Sequence, residues 1–385
     1  MEMKKESKLL RTAKHLTSAR EFTVFVLVLL AIVIMTATNP FFLKTANLQS
    51  VLLGLAADGI LAVAITFACI AGVFDFSIGA VMGFSGMLLA VFSQTGMNIW
   101  LCAILTLVVC AGIGLINGFL IGKIRLNALI ASLAMQKVIH GIVYVISSGL
   151  PVKVLTTPAF KNLSQYKFLG LQMFIWIYFL IAIVAEILLR HTTTLRKLFY
   201  TGSNEKAAIL SGINTIKVKV SVYVTTASLA AVTGILYATR FGTATCDAGI
   251  GTEMTVLSAA VIGGASIKGG EGSILGTFLG IILMNLLSNA LVIYKLDVFW
   301  HHNRLSHPRE PRETPLEEHP LIHRSLRIIR NDKYNKNRRK RNEKAVCTAP
   351  RARLCSCLLC RLHREPESQQ RSGQLHSKPV QRRGR

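Results

Sequence analysis

The sequence predicts an all-α, polytopic membrane protein of about 8–9 membrane helices with one short discontinuous segment. Three observations predict it. First, 51% of the 385 residues are apolar and only 16% are charged. An ordinary soluble domain is about 25% charged, so the residues that cover a water-facing surface are scarce. Second, the apolar residues are gathered into long runs. A helix needs roughly 20 mostly apolar residues to cross a bilayer core, and such runs lie at 22–38, 51–73, 78–93, 100–121, 126–147, 173–189, 218–237 and 274–294. Third, strand alternation is absent, and a backbone in lipid must satisfy its own hydrogen bonds, which leaves helices. The runs at 22–38 and 78–93 are slightly short, and a further stretch at 254–264 is too short to span. A soluble one-domain enzyme is excluded.

Charge is segregated along the chain. The formal net charge is +25, and residues 301–385 hold 22 Lys+Arg against 8 Asp+Glu. The same stretch takes 7 of the 10 His and 7 of the 10 Pro but 2 of the 29 Gly, a different kind of sequence from what precedes it. Three parts follow: a basic arm at 1–20, a membrane body at 21–300 and a basic tail at 301–385 that reads as disordered. The arm carries Lys4, Lys5, Lys8, Arg11, Lys14 and Arg20. Alternate crossings put Lys123, Arg125, Arg190, Arg196, Lys197, Lys206, Lys217 and Lys219 on its side, against Lys44, Lys153, Lys161, Lys167 and Arg240 opposite. Basic residues concentrate on the cytoplasmic side, so the N-terminus is expected there. With no small-x-small site after the first apolar run, that run reads as an anchor.

Within the body, Gly114, Gly118 and Gly122 recur at intervals of four, as do Gly79 with Gly83 and Gly276 with Gly280. Such spacing lets helix backbones approach closely. Glu186 precedes Arg190 by four residues, an i,i+4 pair. Asp58 and His140 sit inside apolar runs, where ionisable groups are expensive and often functional, and His140 with Lys137 reads as an interior polar contact. Cys69, Cys102, Cys110 and Cys246 are scattered and read as small apolar fillers.

Three stretches break the apolar pattern. In 71–79, Asp75 and Ser77 lie between glycines. Asp75 reads as a cap for a helix starting near Ser77, as lining of a watery path, or as both. In 263–273, five glycines in eleven residues preclude a stable helix. A short apolar segment ahead of such a turn resembles the broken elements that transporters place beside their substrate path. A P-loop needs Gly-Lys followed by Ser or Thr, which occurs nowhere in the chain. In 200–213, Ser203 or Asn204 is a fair N-cap, Glu205 suits a first turn and Gly212 ends the helix. A helix this short is marginal alone and is expected to dock, on its own base or on a partner.

Taken together, residues 20–300 resemble the permease subunit of bacterial binding-protein-dependent ABC importers for monosaccharides, the ribose/xylose/galactose type. The carrying residues are Phe74-Asp75-Phe76-Ser77-Ile78-Gly79-Ala80, Gly202-Ser203-Asn204-Glu205-Lys206-Ala207-Ala208 with Ser211-Gly212-Ile213, and Ala260-Val261-Ile262-Gly263-Gly264 with Ser266, Gly269-Gly270-Glu271-Gly272-Ser273 and Gly276-Thr277. The resemblance implies a transport subunit of the inner membrane without catalytic residues, cofactor or metal. It implies two permease copies forming a pore, a periplasmic sugar-binding protein outside and separate ABC ATPase subunits inside. It places Gly202, Asn204, Glu205, Ala207, Ala208 and Gly212 against the ATPase, and Asp75, Ser77, Gly79, Gly263, Gly264, Ser266, Gly270 and Gly272 near the translocation path. Permeases for branched-chain amino acids are a related variant.

The resemblance stops near Phe299-Trp300. Beyond it the tail reads as a basic appendage for anionic lipid or nucleic acid, as a zinc site from Cys347, Cys355, Cys357 and Cys360 without standard finger spacing, or as out-of-frame translation. The last is the reading adopted; it gives the charge no nucleic-acid partner and leaves the body short of a final helix, a truncated permease. The competing function classes are an ion-coupled secondary transporter, which predicts internal repeats and intramembrane charge pairs, and a non-transporting membrane protein with a nucleic-acid-binding tail.

Overall fold

The computed structural model describes residues 20–294. The arm at 1–19, Phe299-Trp300 and the tail at 301–385 with its cysteines lie outside the described residues. The elements in chain order are α1 (Arg20–Thr38), α2 (Thr45–Ile70), α3 (Ile78–Gln94), α4 (Ile99–Gly122), α5 (Ala128–Ser147), β1 (Val152–Lys153), α6 (Pro158–Gln165), β2 (Lys167–Phe168), β3 (Leu171–Gln172), α7 (Met173–His191), α8 (Thr193–Ser203), α9 (Glu205–Leu210), α10 (Thr215–Phe241), β4 (Thr243–Ala244), α11 (Thr252–Ile262) and α12 (Ile274–Ile293).

Seven of these helices, α1, α2, α4, α5, α7, α10 and α12, are long and apolar enough to cross a membrane. The eighth expected span, 78–93, forms α3 with 17 residues and falls short of that length. The reason is position. Almost every α3 side chain is buried, from Ile78 to Ala90 without interruption, and a helix apolar all round belongs to a core. With neighbours on every side, its length is not set by the bilayer. The second half of α2, Gly59 to Ile70, is buried in the same way. α4, α5, α7, α10 and α12 pack against this pair and α1 packs on α12, with outward faces such as Leu30, Ile104, Ile130, Leu180 and Leu291 exposed.

Local chemistry fixes the helix starts. Asn98, Asn127, Asn204, Asn214 and Ser273 each accept a backbone N–H from the first turn of the helix that follows, satisfying donors that a helix leaves unpaired. Thr157 does the same for α6, which carries Pro158 in its first turn. The glycine spacings pack as expected. A Cβ at Gly114 would meet Tyr223 O at 2.4 Å, one at Gly118 would meet Val220, and one at Gly280 would meet Ala259 O at 2.0 Å. Backbones of α4 and α10, and of α11 and α12, therefore touch.

One end of the bundle holds α8 and α9. The opposite end holds a short antiparallel ribbon, Val152 opposite Ala244 and Lys153 opposite Thr243, with the β2–β3 hairpin nearby in sequence. These strands and helices α6 and α8 are additions to the elements the sequence indicates. The last difference concerns the discontinuous crossing. Sequence places the break after the short helix, in 263–273. The structure has a second break before it. From the ribbon the chain enters the bundle as non-helical backbone through 245–251, and only then forms the 11-residue α11. Eleven residues rise about 16 Å, half a hydrocarbon core; the irregular stretch supplies the remainder.

Candidate functional site

The three sequence motifs meet only in part, and they do so at the α9 end. Gly270 N–H donates to Ile70 O at 2.9 Å, joining the 263–273 loop to the last turn of α2. Gly202, in the last turn of α8, lies against that bond. A Cβ there would stand 2.0 Å from Ile70 O and 2.6 Å from Gly270 N. Gly269 and Gly72 complete the contact, a Cβ on either falling within 3.3 Å of Gly202 atoms. Gly272 faces the Ile70 side chain. Only glycine permits these three backbone segments to come this close. Gly263 is buried against Gly276, and Ser266 closes the loop through its N–H to Glu271 O and its Oγ accepting from Lys268 N.

Directly beyond this junction stands α9. Asn204 is its N-cap, its side chain accepting from Ala207 N at 3.1 Å. Gly212, at φ +80°, ends it, with Ile213 N–H returning to Ala208 O. Ala208 is buried on the protein's own base, whereas Ala207 is exposed. Glu205 accepts from Lys219 Nζ at 2.7 Å, linking α9 to α10. That hydrogen bond holds the Glu205 carboxyl below its ordinary value. The apolar tip points away from the body: Leu210 is 89% exposed, with Ile209 and Tyr200 also exposed.

Asp75 and Ser77 form a second group inside the bundle. Asp75 is 3% exposed. Its Oδ1 accepts from Ser77 N at 3.0 Å and from Ser77 Oγ at 2.6 Å, and its Oδ2 accepts from Thr226 Oγ1 at 2.7 Å. Asn117 donates to Ser77 Oγ, and Tyr223 OH donates to Phe74 O. The carboxylate thus organises the entry to α3 and ties it to α4 and α10. Asn117 and Thr226 are partners that sequence reading missed.

Gly79 belongs to a third group. A Cβ at Gly79 would meet Gly249 O, Glu253 Oε2 and Thr252 Oγ1, and one at Gly83 would meet Ala248 O. The irregular crossing therefore lies along α3. On its other side it meets α5: Gln136 Nε2 donates to Glu253 Oε1 at 2.7 Å, Tyr144 OH donates to Asp247 Oδ1 at 2.7 Å, and Ser147 Oγ lies 3.0 Å from Cys246 Sγ. Lys137, expected in the interior with His140, is exposed, and His140 is half-buried. The spacing of Gln136, His140 and Tyr144 puts them on one helix face, a signal legible in the sequence that the apolar setting obscured. Elsewhere, Asp58 accepts from Asn285, and Asn47 and Asn289 pair, a polar seam between α2 and α12. Glu186 pairs with Arg190 and also accepts from Ile274 N, fastening α7 to the start of α12.

The chain matches, over residues 47–305, the family described as the permease component of the branched-chain amino acid transport system. It is 30% identical over 301 residues to the ribose import permease protein RbsC of Haemophilus influenzae, covering 77% of this chain and 92% of that protein. It is 32% identical over 270 residues to RbsC of Bacillus subtilis, covering 70% and 84%. To the L-arabinose transport system permease protein AraH of Escherichia coli it is 31% identical over 260 residues, covering 68% and 79%. No solved structure matches. A bundle of seven long apolar helices with two shorter ones, an exposed short helix seated on a glycine junction and a family match over most of the described residues lead to one conclusion: this chain is a multi-pass membrane transport subunit and belongs to the ABC importer permease family.

Proposed function

We propose that the chain is the translocation subunit of an importer for a monosaccharide of pentose size, handed over by a periplasmic binding protein and driven by two separate ATPase subunits. A second permease copy completes the path, and bilayer lipid surrounds both. The protein lies in the bacterial inner membrane with its N-terminus and the α9 end in the cytoplasm. The basic residues favour this orientation, and Lys268, on the loop that meets Gly202, adds another positive charge at the α9 end.

The observation that carries the reading is the pairing of an exposed apolar tip with a backbone junction. Leu210 and Ile209 offer an ATPase something to grip. Asn204, Glu205, Ala207, Ala208 and Gly212 fix the shape of that tip. Through Gly202, displacement of the tip reaches Ile70, the start of the Asp75–Ser77–Gly79 segment, and the loop of Gly263, Gly264, Ser266, Gly270 and Gly272. These residues border the path as its moving joint. ATP binding and hydrolysis in the partner thus alternate the access of the path, and this chain performs no bond chemistry.

The test is reconstitution in proteoliposomes with the ATPase and the binding protein, following labelled ribose and arabinose. ATP-dependent uptake that needs all three components is the expected result. Uptake without ATPase that follows a proton or sodium gradient would replace this reading with secondary transport.

A further inference from the structure

The face built from α5 and the irregular crossing carries polar groups that lipid cannot accommodate. Gln136 lies eight residues, about 12 Å, along the 20-residue α5, near mid-membrane. Lys137 beside it is exposed, and so is Asp247. Charged groups at such depth face a watery cavity or another protein surface. The backbone of 245–251 forms neither helix nor sheet, and such backbone is tolerated at membrane depth only when enclosed by protein or lining water. Charge and backbone agree that this face meets water or protein and not lipid.

We propose that it is a hydroxyl-reading site for a neutral polyol in transit, made by Tyr144 with Asp247 toward the ribbon end and by Gln136 with Glu253 deeper, with His140 between them on the same helix face. The proposal rests on the permease reading above and names its substrate-contacting groups. Glu253 is 7% exposed, and its Oε2 has no partner among the described residues. Both carboxylates lie within electrostatic reach of His140. Carboxylates accept hydroxyl hydrogens, while the carboxamide, imidazole and phenol can donate as well as accept. Each existing pair can therefore exchange its internal hydrogen bond for two to a diol, leaving no group unsatisfied. The same set disfavours a branched-chain amino acid. Its ammonium would pair with one of the two carboxylates, but its own carboxylate would be repelled by the other, and its aliphatic side chain would leave the carboxamide, imidazole and phenol without hydroxyl partners. The site thus selects a sugar from the two substrate classes associated with the family and its relatives.

The test is saturation-transfer NMR of the full chain in nanodiscs, with ribose and with leucine as probes at millimolar concentration, a method suited to weak binding. Ribose is expected to give a transfer signal at least fivefold above leucine, and Asp247→Asn and Tyr144→Phe are each expected to cut it at least threefold. Glu253→Gln serves as the buried counterpart. The two exposed positions keep the experiment decisive if that variant fails to fold. Equal signals for the two probes, no ribose signal, or a ribose signal indifferent to Asp247→Asn and Tyr144→Phe would each overturn the proposal. Wild-type uptake in proteoliposomes separates the two readings. If uptake proceeds while the NMR result is negative, only the hydroxyl-reading site falls; if uptake is absent, the permease reading falls with it.

Discussion

Replacing Gly202 with alanine places one methyl group where the protein has no space for it. The new Cβ would stand 2.0 Å from Ile70 O and 2.6 Å from Gly270 N, inside the 2.9 Å hydrogen bond those atoms form. Relief requires movement of more than 1 Å, because carbon and oxygen make ordinary contact only at about 3.2 Å or more. All neighbours are backbone, so no side chain can rotate away. Two costs add: overpacking of about 1–3 kcal/mol and loss of a backbone hydrogen bond, about 1 kcal/mol. A destabilisation of about 2–4 kcal/mol is expected, together with a loosened seat for α9. The assay compares thermal unfolding in detergent with stimulation of the ATPase by substrate-loaded binding protein. The variant should unfold at lower temperature and lose most of its stimulation. Gly141→Ala is the control of opposite sign. Gly141 is helical with nothing within 4 Å of its added Cβ, so alanine should be neutral or stabilising by up to about 1 kcal/mol. A Gly202→Ala protein as stable and as well coupled as wild type would refute the junction argument.

Three further outcomes are expected. Asp75→Ala removes the acceptor for Ser77 N, Ser77 Oγ and Thr226 Oγ1 and should destabilise by about 2–4 kcal/mol through buried unpaired donors, with Asp75→Asn milder; thermal denaturation measures both. Because Lys219 holds the Glu205 carboxyl below its ordinary value, that pair stabilises α9 above the ordinary carboxylate pKa and stops doing so as pH falls through the lowered folded-state value. Amide exchange across α9 should therefore quicken on acidification, modestly because Glu205 is half exposed, and Lys219→Gln should weaken the dependence. Gly114→Leu drives a side chain into Tyr223 O, 2.4 Å from the Cβ position, and should part α4 from α10, seen as loss of folded protein in size-exclusion chromatography.

Much of the frame was legible because its signals are local. Seven spans are apolar runs, and the Asn204 cap and Gly212 stop of α9 follow from side-chain chemistry within a few residues. The glycine stripe 114, 118, 122 announces a close helix partner, though not that the partner is α10. What sequence did not disclose depends on long-range pairing. Asp75 finds Thr226 at a separation of 151 residues, and Gly202 finds Ile70 and Gly270 only through the fold. The stretch 245–251 has neither an apolar run nor helical spacing, so nothing local marks it as part of a crossing. α3 misleads in the opposite way: its composition matches that of a span while its length answers to protein neighbours.

That insulation of α3 has a consequence for where such a protein can live. A bilayer that thickens or thins acts on the hydrophobic length of whatever touches it, at a cost of fractions of a kcal/mol per ångström. Here the touching surfaces are on peripheral helices such as α1, only 17% buried, which can tilt. The inner pair, α3 with the second half of α2, is screened from that mismatch. The outer helices act as a compliant sleeve around a core of fixed dimensions, so the close packing of α3 keeps its geometry in membranes of different lipid composition.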